Sequence, residues 1–386
     1  MRRLNYNPDH RIWGLDLLRA LAIIFVIIAH GKHFLYPIIP QPYGHNLRFG
    51  GYMGVELFFV LSGYLIGTIL IKTFQKEDSV SFAAIKKFWV RRWFRTLPNY
   101  YLIILINILV YALLLEGDVW KEVTLWKYFF FLQNVTHHPG EFFSESWSLT
   151  IEEWFYLTIP VVMMAIYFGF RFLSVKGRIL LSILVYIGIS FSLRWFAAQD
   201  SSVDWRLELR MVMPLRLDSI GIGVLAAFVH LYFPLWWDHN KKWLFALGTG
   251  VFLVNCYYYL HHILPNATGN VSLFDRTIYF NITNISFAAL LPMASTWKKQ
   301  TSWFGRFVTI TSLISYSLYL VHVSVVRNLI MEYMSWSGRL YGPLVWLLFV
   351  GVSYALSYVL YVYYEQPMMK LRDKFSKKEK TVTITS

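Results

Sequence analysis

Ten stretches of this chain are each predominantly apolar for about the 20 residues that a helix needs to cross the hydrocarbon core of a bilayer. They lie near 15–34, 53–71, 99–116, 152–170, 179–196, 214–233, 243–261, 277–296, 308–330 and 343–363. Inside lipid a backbone amide has no water to bond, so stretches of this length are stable there only as helices. The pattern predicts an all-α fold, a polytopic transmembrane helical bundle of about ten spans. Composition agrees: 56% of the residues are hydrophobic and 15% are charged, against about 25% charged in soluble domains, which excludes a soluble globular enzyme. The one cysteine, Cys256, lies in an apolar run where a thiol packs as a small hydrophobe, and it has no second cysteine to pair with.

The formal net charge is +14, and topology accounts for it without a nucleic-acid partner. With the N-terminus inside, 24 of the 36 Lys and Arg residues fall on cytoplasmic segments, the bias that orients membrane proteins. Both termini are therefore expected to be cytoplasmic. Arg2, Arg3 and Arg11 precede the apolar run at 20–29 as in a secretory signal, but His30, Gly31, Lys32 and His33 follow in place of a small-residue cleavage site. That predicts an uncleaved first span. No loop is long enough for a soluble domain, so residues 1–386 read as a single integral membrane domain, with a short basic tail from about 370 to 386 lying against anionic membrane lipids.

Ionisable side chains inside a span are costly unless paired or solvated, so each is a functional candidate. Asp16, Arg19 and His30 all belong to the first span. At about 100° per residue, the step from 19 to 30 is roughly 1100°, about 20° past three turns, and the rise is about 16 Å. Arg19 and His30 thus share a face, with Asp16 one turn away and able to neutralise Arg19; the same pair also serves as a buried packing contact. Glu56 lies near the outer end of the second span, where Ser62, Gly63 and Gly67 permit close helix approach. Between the second and third spans, Arg91, Arg92 and Arg95 sit at helical spacings that form a fork-rich patch suited either to phosphates or to lipid headgroups. Adjacent carboxylates Glu152 and Glu153 open the fourth span and point about 100° apart, so at most one of them is expected to face a central cavity while the other caps or faces a neighbour. Arg216 and Asp218 enter the sixth span, His322 lies in the ninth and Glu365 ends the tenth. A base, an arginine and several carboxylates can surround one wet cavity in an otherwise apolar bundle.

These residues occur in motifs that together resemble the acyltransferase family 3 of multi-pass membrane acyltransferases, from about Trp13 to about Arg372. Gly14-Leu-Asp-Leu-Leu-Arg-Ala-Leu-Ala22 followed by His30 resembles the family's Arg-x10-His first-span motif. Gly54-Val-Glu-Leu-Phe-Phe-Val-Leu-Ser-Gly63 resembles its second-span signature, Arg92-x-x-Arg95 its cytoplasmic basic motif, and Ser146-Trp-Ser-Leu-x-x-Glu152 its fourth-span motif. Ser315-Tyr-Ser-Leu-Tyr-Leu-Val-His322 and Glu365-x-Pro367 complete the series. In two respects the chain departs from the pattern. Ser324 stands where many members have proline, and with the sequence ending at Ser386 the extracytoplasmic hydrolase-like domain that some members carry is not expected.

The resemblance implies transfer of an acyl group, most often acetyl from acetyl-CoA, to a hydroxyl of a cell-surface polysaccharide, lipopolysaccharide or lipid-linked saccharide, in a bacterial cytoplasmic (inner) membrane. A thioester is already activated, so the protein must supply positioning, a base and stabilisation of charge, with no metal. His30 is the expected base, because the ordinary histidine pKa of about 6.5 lies near operating pH. Arg19 is expected to hold the donor or stabilise developing charge, Asp16 to orient it, Glu152 to orient His30 or the acceptor, and Arg91, Arg92 and Arg95 to bind the CoA phosphates. Glu56, Glu153, Arg216, Asp218, His322 and Glu365 are expected to bind substrate or support the site. Either the pantetheine arm reaches up a channel to His30, or an acyl-histidine carries the group across. The rival reading is an exporter or flippase of a lipid-linked sugar that makes no bond. The sequence specifies no oligomeric state.

Overall fold

The computed structural model describes residues 11–41, 43–76, 80–114, 124–140, 142–266, 271–298, 300–334 and 341–372. Ten main helices follow one another: α1 (Trp13–His30), α2 (Arg48–Phe74), α3 (Phe82–Leu114), α4 (Ser146–Gly169), α5 (Val175–Ala197), α6 (Leu217–Tyr232), α7 (Lys241–Tyr258), α8 (Ile278–Ala294), α9 (Trp303–Val321) and α10 (Tyr341–Leu360). With their short helical extensions, nine of these are long and apolar enough to cross a membrane, whereas α8 is apolar but has 17 residues. That is about 25 Å of helix against a hydrocarbon core of about 30 Å. The order matches the ten apolar runs, and the bundle is that of a multi-pass membrane protein.

Helix ends extend past the apolar runs wherever polar residues are good helix formers or caps. The basic segment ahead of the third run is the first part of α3, which continues through Pro98. Ser174 and Ser302 cap α5 and α9 by accepting the amides of Gly177 and Gly305 at 3.2 Å and 3.0 Å. Among the described residues, four π-helical turns interrupt or extend the helices, at Trp205–Arg210, Tyr259–Ile263, His322–Arg327 and Tyr361–Glu365. Such turns free backbone groups for tertiary use.

Helix α2 lies at the centre and packs chiefly on α1 and α6, α1 also packs on α9, and α7 covers α8. Where α2 crosses α6 the backbones touch: a Cβ on Gly63 would overlap the Ile220 carbonyl, and one on Gly223 the Val60 carbonyl. Small residues matter here because lipid gives no hydrophobic drive between helices, which leaves close van der Waals packing to hold them. The outer helices α5, α7 and α10 turn side chains such as Leu193, Leu253 and Leu347 outward, as a lipid-facing surface requires.

Candidate active site

A cavity opens among α1, α2, α3, α4 and α9. Arg19, Arg92, Arg95 and Glu152 line it together, and Val55, Phe58, Phe59 and Leu61 supply an apolar wall. Tyr156 donates its hydroxyl to Glu152 Oε2 at 3.1 Å and accepts from Ser62 at 2.8 Å. Ser62 is thus more than a small packing residue. The buried Nε of Arg92 has no hydrogen-bond partner among the described residues. Arg91, by contrast, is exposed and does not line the cavity, because one helical step turns it about 100° away from Arg92.

Asp16 is held mainly by residues other than Arg19. Arg11 Nε donates to Asp16 Oδ2 at 2.8 Å, its Nη2 pairs with Oδ1, and Ser312 of α9 donates to Oδ1 at 2.7 Å. Arg19 Nη1 stands 3.9 Å from Oδ1. Asp16 therefore joins α1 to α9 and only in part offsets Arg19, whose guanidinium turns to the cavity.

His30, at the far end of α1, is half-buried and stacks on the fully buried His322, with ring centroids 5.0 Å apart. Nδ1 of His322 lies 2.8 Å from the Tyr319 carbonyl and 3.1 Å from that of Leu318, so it carries the proton and donates. Nε2 of His322 must then accept, and Nδ1–H of His30 donates to it across 2.7 Å. That tautomer leaves the lone pair on Nε2 of His30 as the basic atom, with no hydrogen bond to it from the described residues. The partner of His30 is thus His322 rather than Glu152, which sits at the arginine end of the cavity.

The π turn at His322 makes this arrangement. Tyr319's carbonyl accepts from the His322 ring, and the Ser324 amide leaves the helix to donate to Glu145 Oε1 at 2.9 Å. A proline at 324 would have no N–H to give. Burial raises the Glu145 carboxyl above its ordinary value, partly offset by that amide. Tyr319 donates to the Glu145 carbonyl at 3.0 Å and accepts from Ser148 at 2.7 Å. Its ring lies 5.7 Å from that of His322, so Tyr319, which lines the cavity, also borders the histidine pair. Glu145, Ser148 and Tyr319 are functional neighbours that sequence reasoning missed. Glu145 lay outside any apolar run, although its neighbours belong to the fourth-span motif.

Several expected site residues sit elsewhere. Glu153 faces a separate hollow lined by Trp93, Tyr101, Phe129 and Trp154, with Oε2 unpartnered among the described residues. Glu56, Arg216 and Asp218 do not reach the cavity. Arg216 Nη2 donates to both oxygens of Glu56 at 2.7 Å and 2.6 Å, and its guanidinium lies 3.8 Å over the Phe280 ring. Arg194, whose place inside the fifth apolar run was the overlooked signal, donates to Asp218 at 2.8 Å and 2.6 Å and to Asn281 at 2.6 Å. All four charges are fully buried, and they tie α2, α5, α6 and α8 together. Glu365 accepts from Asn99 at 2.9 Å and Ser317 at 2.8 Å, which locks the end of the last span to α3 and α9.

A family model described as an acyltransferase domain matches residues 12–362. The chain is also similar to proteins named O-acetyltransferase OatA from Staphylococcus aureus strains NCTC 8325 / PS 47, COL and MRSA252. Each is 27% identical over 378 residues, covering 92% of this chain and 57% of the relative. The chain thus spans a little over half the length of these curated relatives. No solved structure matches it.

Proposed function

The chain belongs to the acyltransferase family whose model it matches over residues 12–362, and from that premise we propose that it moves an acetyl group from acetyl-CoA to a hydroxyl of a cell-surface glycan or lipid-linked saccharide. The observations that carry this reading are the cavity that Arg19, Arg92, Arg95 and Glu152 line together and, farther along the same helix as Arg19, a histidine whose ring is held by a second histidine. Arg92 and Arg95, with Arg19, suit the phosphates of the donor: guanidiniums bind phosphate through parallel charge-assisted hydrogen bonds, and the Arg92 Nε is in need of an acceptor. The apolar wall along Phe58 and Phe59 suits the arm that carries the thioester. In this reading the Arg92 end faces the cytoplasm and the His30 end the outside of a bacterial cytoplasmic membrane.

At that outer end, Nε2 of His30 takes the proton of the acceptor hydroxyl as its oxygen attacks the acyl carbonyl. The thiolate leaves and takes up a proton, so that an ester and free CoA result. His322 holds the His30 ring and spreads the gained charge toward the Tyr319 carbonyl. It acts through His30, as a positioning residue.

Purified protein supplied with acetyl-CoA and a membrane glycan extract is expected to release CoA thiol only when the extract is present. Saccharide binding with no thiol release would instead favour an exporter. Arg92→Gln should raise the KM for acetyl-CoA by about 10–100-fold, as loss of a charge-assisted contact implies, while Arg91→Gln leaves it unchanged; equal effects would remove the distinction drawn between them. For His322→Ala, kcat should fall and the donor KM stay constant, and His322→Gln, which keeps an acceptor for His30 Nδ1–H, should recover part of the loss. A rise in KM alone would contradict the positioning role.

A further inference from the structure

Glu153 and the hollow it faces have no part in the transfer chemistry. Glu153 is 7% exposed, and its Oε2 has no hydrogen-bond partner among the described residues. Arg92 is a cation that acts on it, yet Arg92 lines the neighbouring cavity and not this hollow. A buried carboxylate without a partner takes up a proton or draws in a cation, and the walls around it decide which cation can come.

These walls are aromatic. Trp93 and Tyr101 come from α3, Trp154 from α4, and Phe129 and Phe131 from the end of the short helix Leu125–Phe129 and the chain after it. Two polar groups of the wall are spent in fixing it: Tyr101 donates its hydroxyl to the Phe129 carbonyl at 2.9 Å, and Trp154 Nε1 donates to that of Phe131 at 2.7 Å. Phe131 is held at a φ of 54°, a left-handed conformation that a residue other than glycine keeps only where its surroundings over-determine it. Its ring stacks on Tyr100 with centroids 4.3 Å apart. With the tips of Tyr101 and Trp154 so engaged, the hollow offers a visitor aromatic rings and one free carboxylate oxygen. That combination suits an alkylammonium, which ring quadrupoles attract and a carboxylate neutralises.

Position indicates what carries the ammonium. Trp93 lies within the basic stretch from Lys86 to Arg95, and Phe130, also in the wall, is 68% exposed. The row of Trp93, Leu97 and Tyr101, each four residues apart, continues along α3 to Leu105 and Leu109, whose side chains are exposed and apolar. From Tyr101 to Leu109 the helix rises about 12 Å, most of one leaflet of a hydrocarbon core about 30 Å thick. A cation site beside basic residues, with an apolar row leading away from it for that distance, has the outline of a lipid molecule.

We propose that the hollow binds a membrane lipid with an amino or quaternary ammonium headgroup, the ammonium against Glu153 and the aromatic rings and an acyl chain along Leu105 and Leu109. The assignment does not depend on acyl transfer.

Native mass spectrometry of the full-length protein in detergent tests this by titration with phosphatidylethanolamine, phosphatidylcholine, phosphatidylglycerol and diacylglycerol of identical chains. The two ammonium lipids should bind at least about tenfold more tightly than diacylglycerol. Glu153→Gln should remove that margin, whereas Glu152→Gln, in the neighbouring cavity, should retain it. Trp93→Leu, which leaves the carboxylate and the bonds that hold Phe131 in place, should narrow it. Equal binding of ammonium lipids and diacylglycerol, or a margin unchanged by Glu153→Gln or by Trp93→Leu, overturns the proposal. Phosphatidylglycerol bound as tightly as phosphatidylethanolamine would assign the lipid to the basic stretch of α3 and overturn it as well. Choline chloride that displaces the lipid at the lipid's own concentration would give the hollow to a soluble cation, which overturns the lipid assignment.

Discussion

Exchanging His30 for alanine should lower acceptor-dependent transfer by roughly 10²–10⁴-fold, the range that a positioned general base contributes. The basic atom is defined by a chain of two hydrogen bonds, from His30 Nδ1 to His322 and from His322 to the Tyr319 carbonyl, and truncation at 30 removes the atom to which that chain leads. A second truncation at 322 should then add little, because His322 acts only through the ring already lost. Donor affinity should persist, since Arg19 lies about 16 Å away along α1 and Arg92 and Arg95 belong to α3. Single-turnover transfer and acetyl-CoA binding, measured on variants at equal abundance, check both halves. Wild-type turnover by the alanine variant would take His30 out of the mechanism.

Removing Arg216 should cost about 3–5 kcal/mol of stability, because Glu56 is then left charged, buried and unpaired. Both residues are fully buried, and the pair joins α2 to the start of α6. Replacing both members, Glu56→Leu with Arg216→Met, should recover most of the loss. Desolvation offsets much of what a buried pair gains, and this pair also leaves Arg216 Nε and Nη1 without partners among the described residues. Thermal unfolding in detergent distinguishes the cases. A double variant as unstable as Arg216→Ala would mean that the charges themselves, and not merely their mutual neutralisation, hold the bundle.

Most of the fold can be read along the chain because lipid imposes a length and a polarity on every span, and these survive without any knowledge of neighbours. The shared face of Arg19 and His30 is legible for a similar reason, since helical geometry is local. What lay beyond reading is whatever depends on which helices touch. Arg216 and Glu56 are 160 residues apart, and no spacing rule says that they neutralise each other outside the cavity. Nor does any periodicity place His322 behind His30, or turn Arg91 away while Arg92 and Arg95 face inward. Asp16 was matched to Arg19 because the two are neighbours on one helix. The nearer charge comes from Arg11, just ahead of the helix.

The π turn at His322–Arg327 bears on how such a site can change over generations. A π turn accommodates one residue more than the α-helical path it replaces, so the last turns of this span hold a surplus residue at the level of the chemistry. Deleting one codon within it would restore regular winding while the chain beyond kept its register, and would draw the Ser324 amide back into the helix and away from Glu145. The unit of variation here is therefore an insertion or a loss, and relatives that differ by one residue in this segment should differ in the wall against which the acceptor is held.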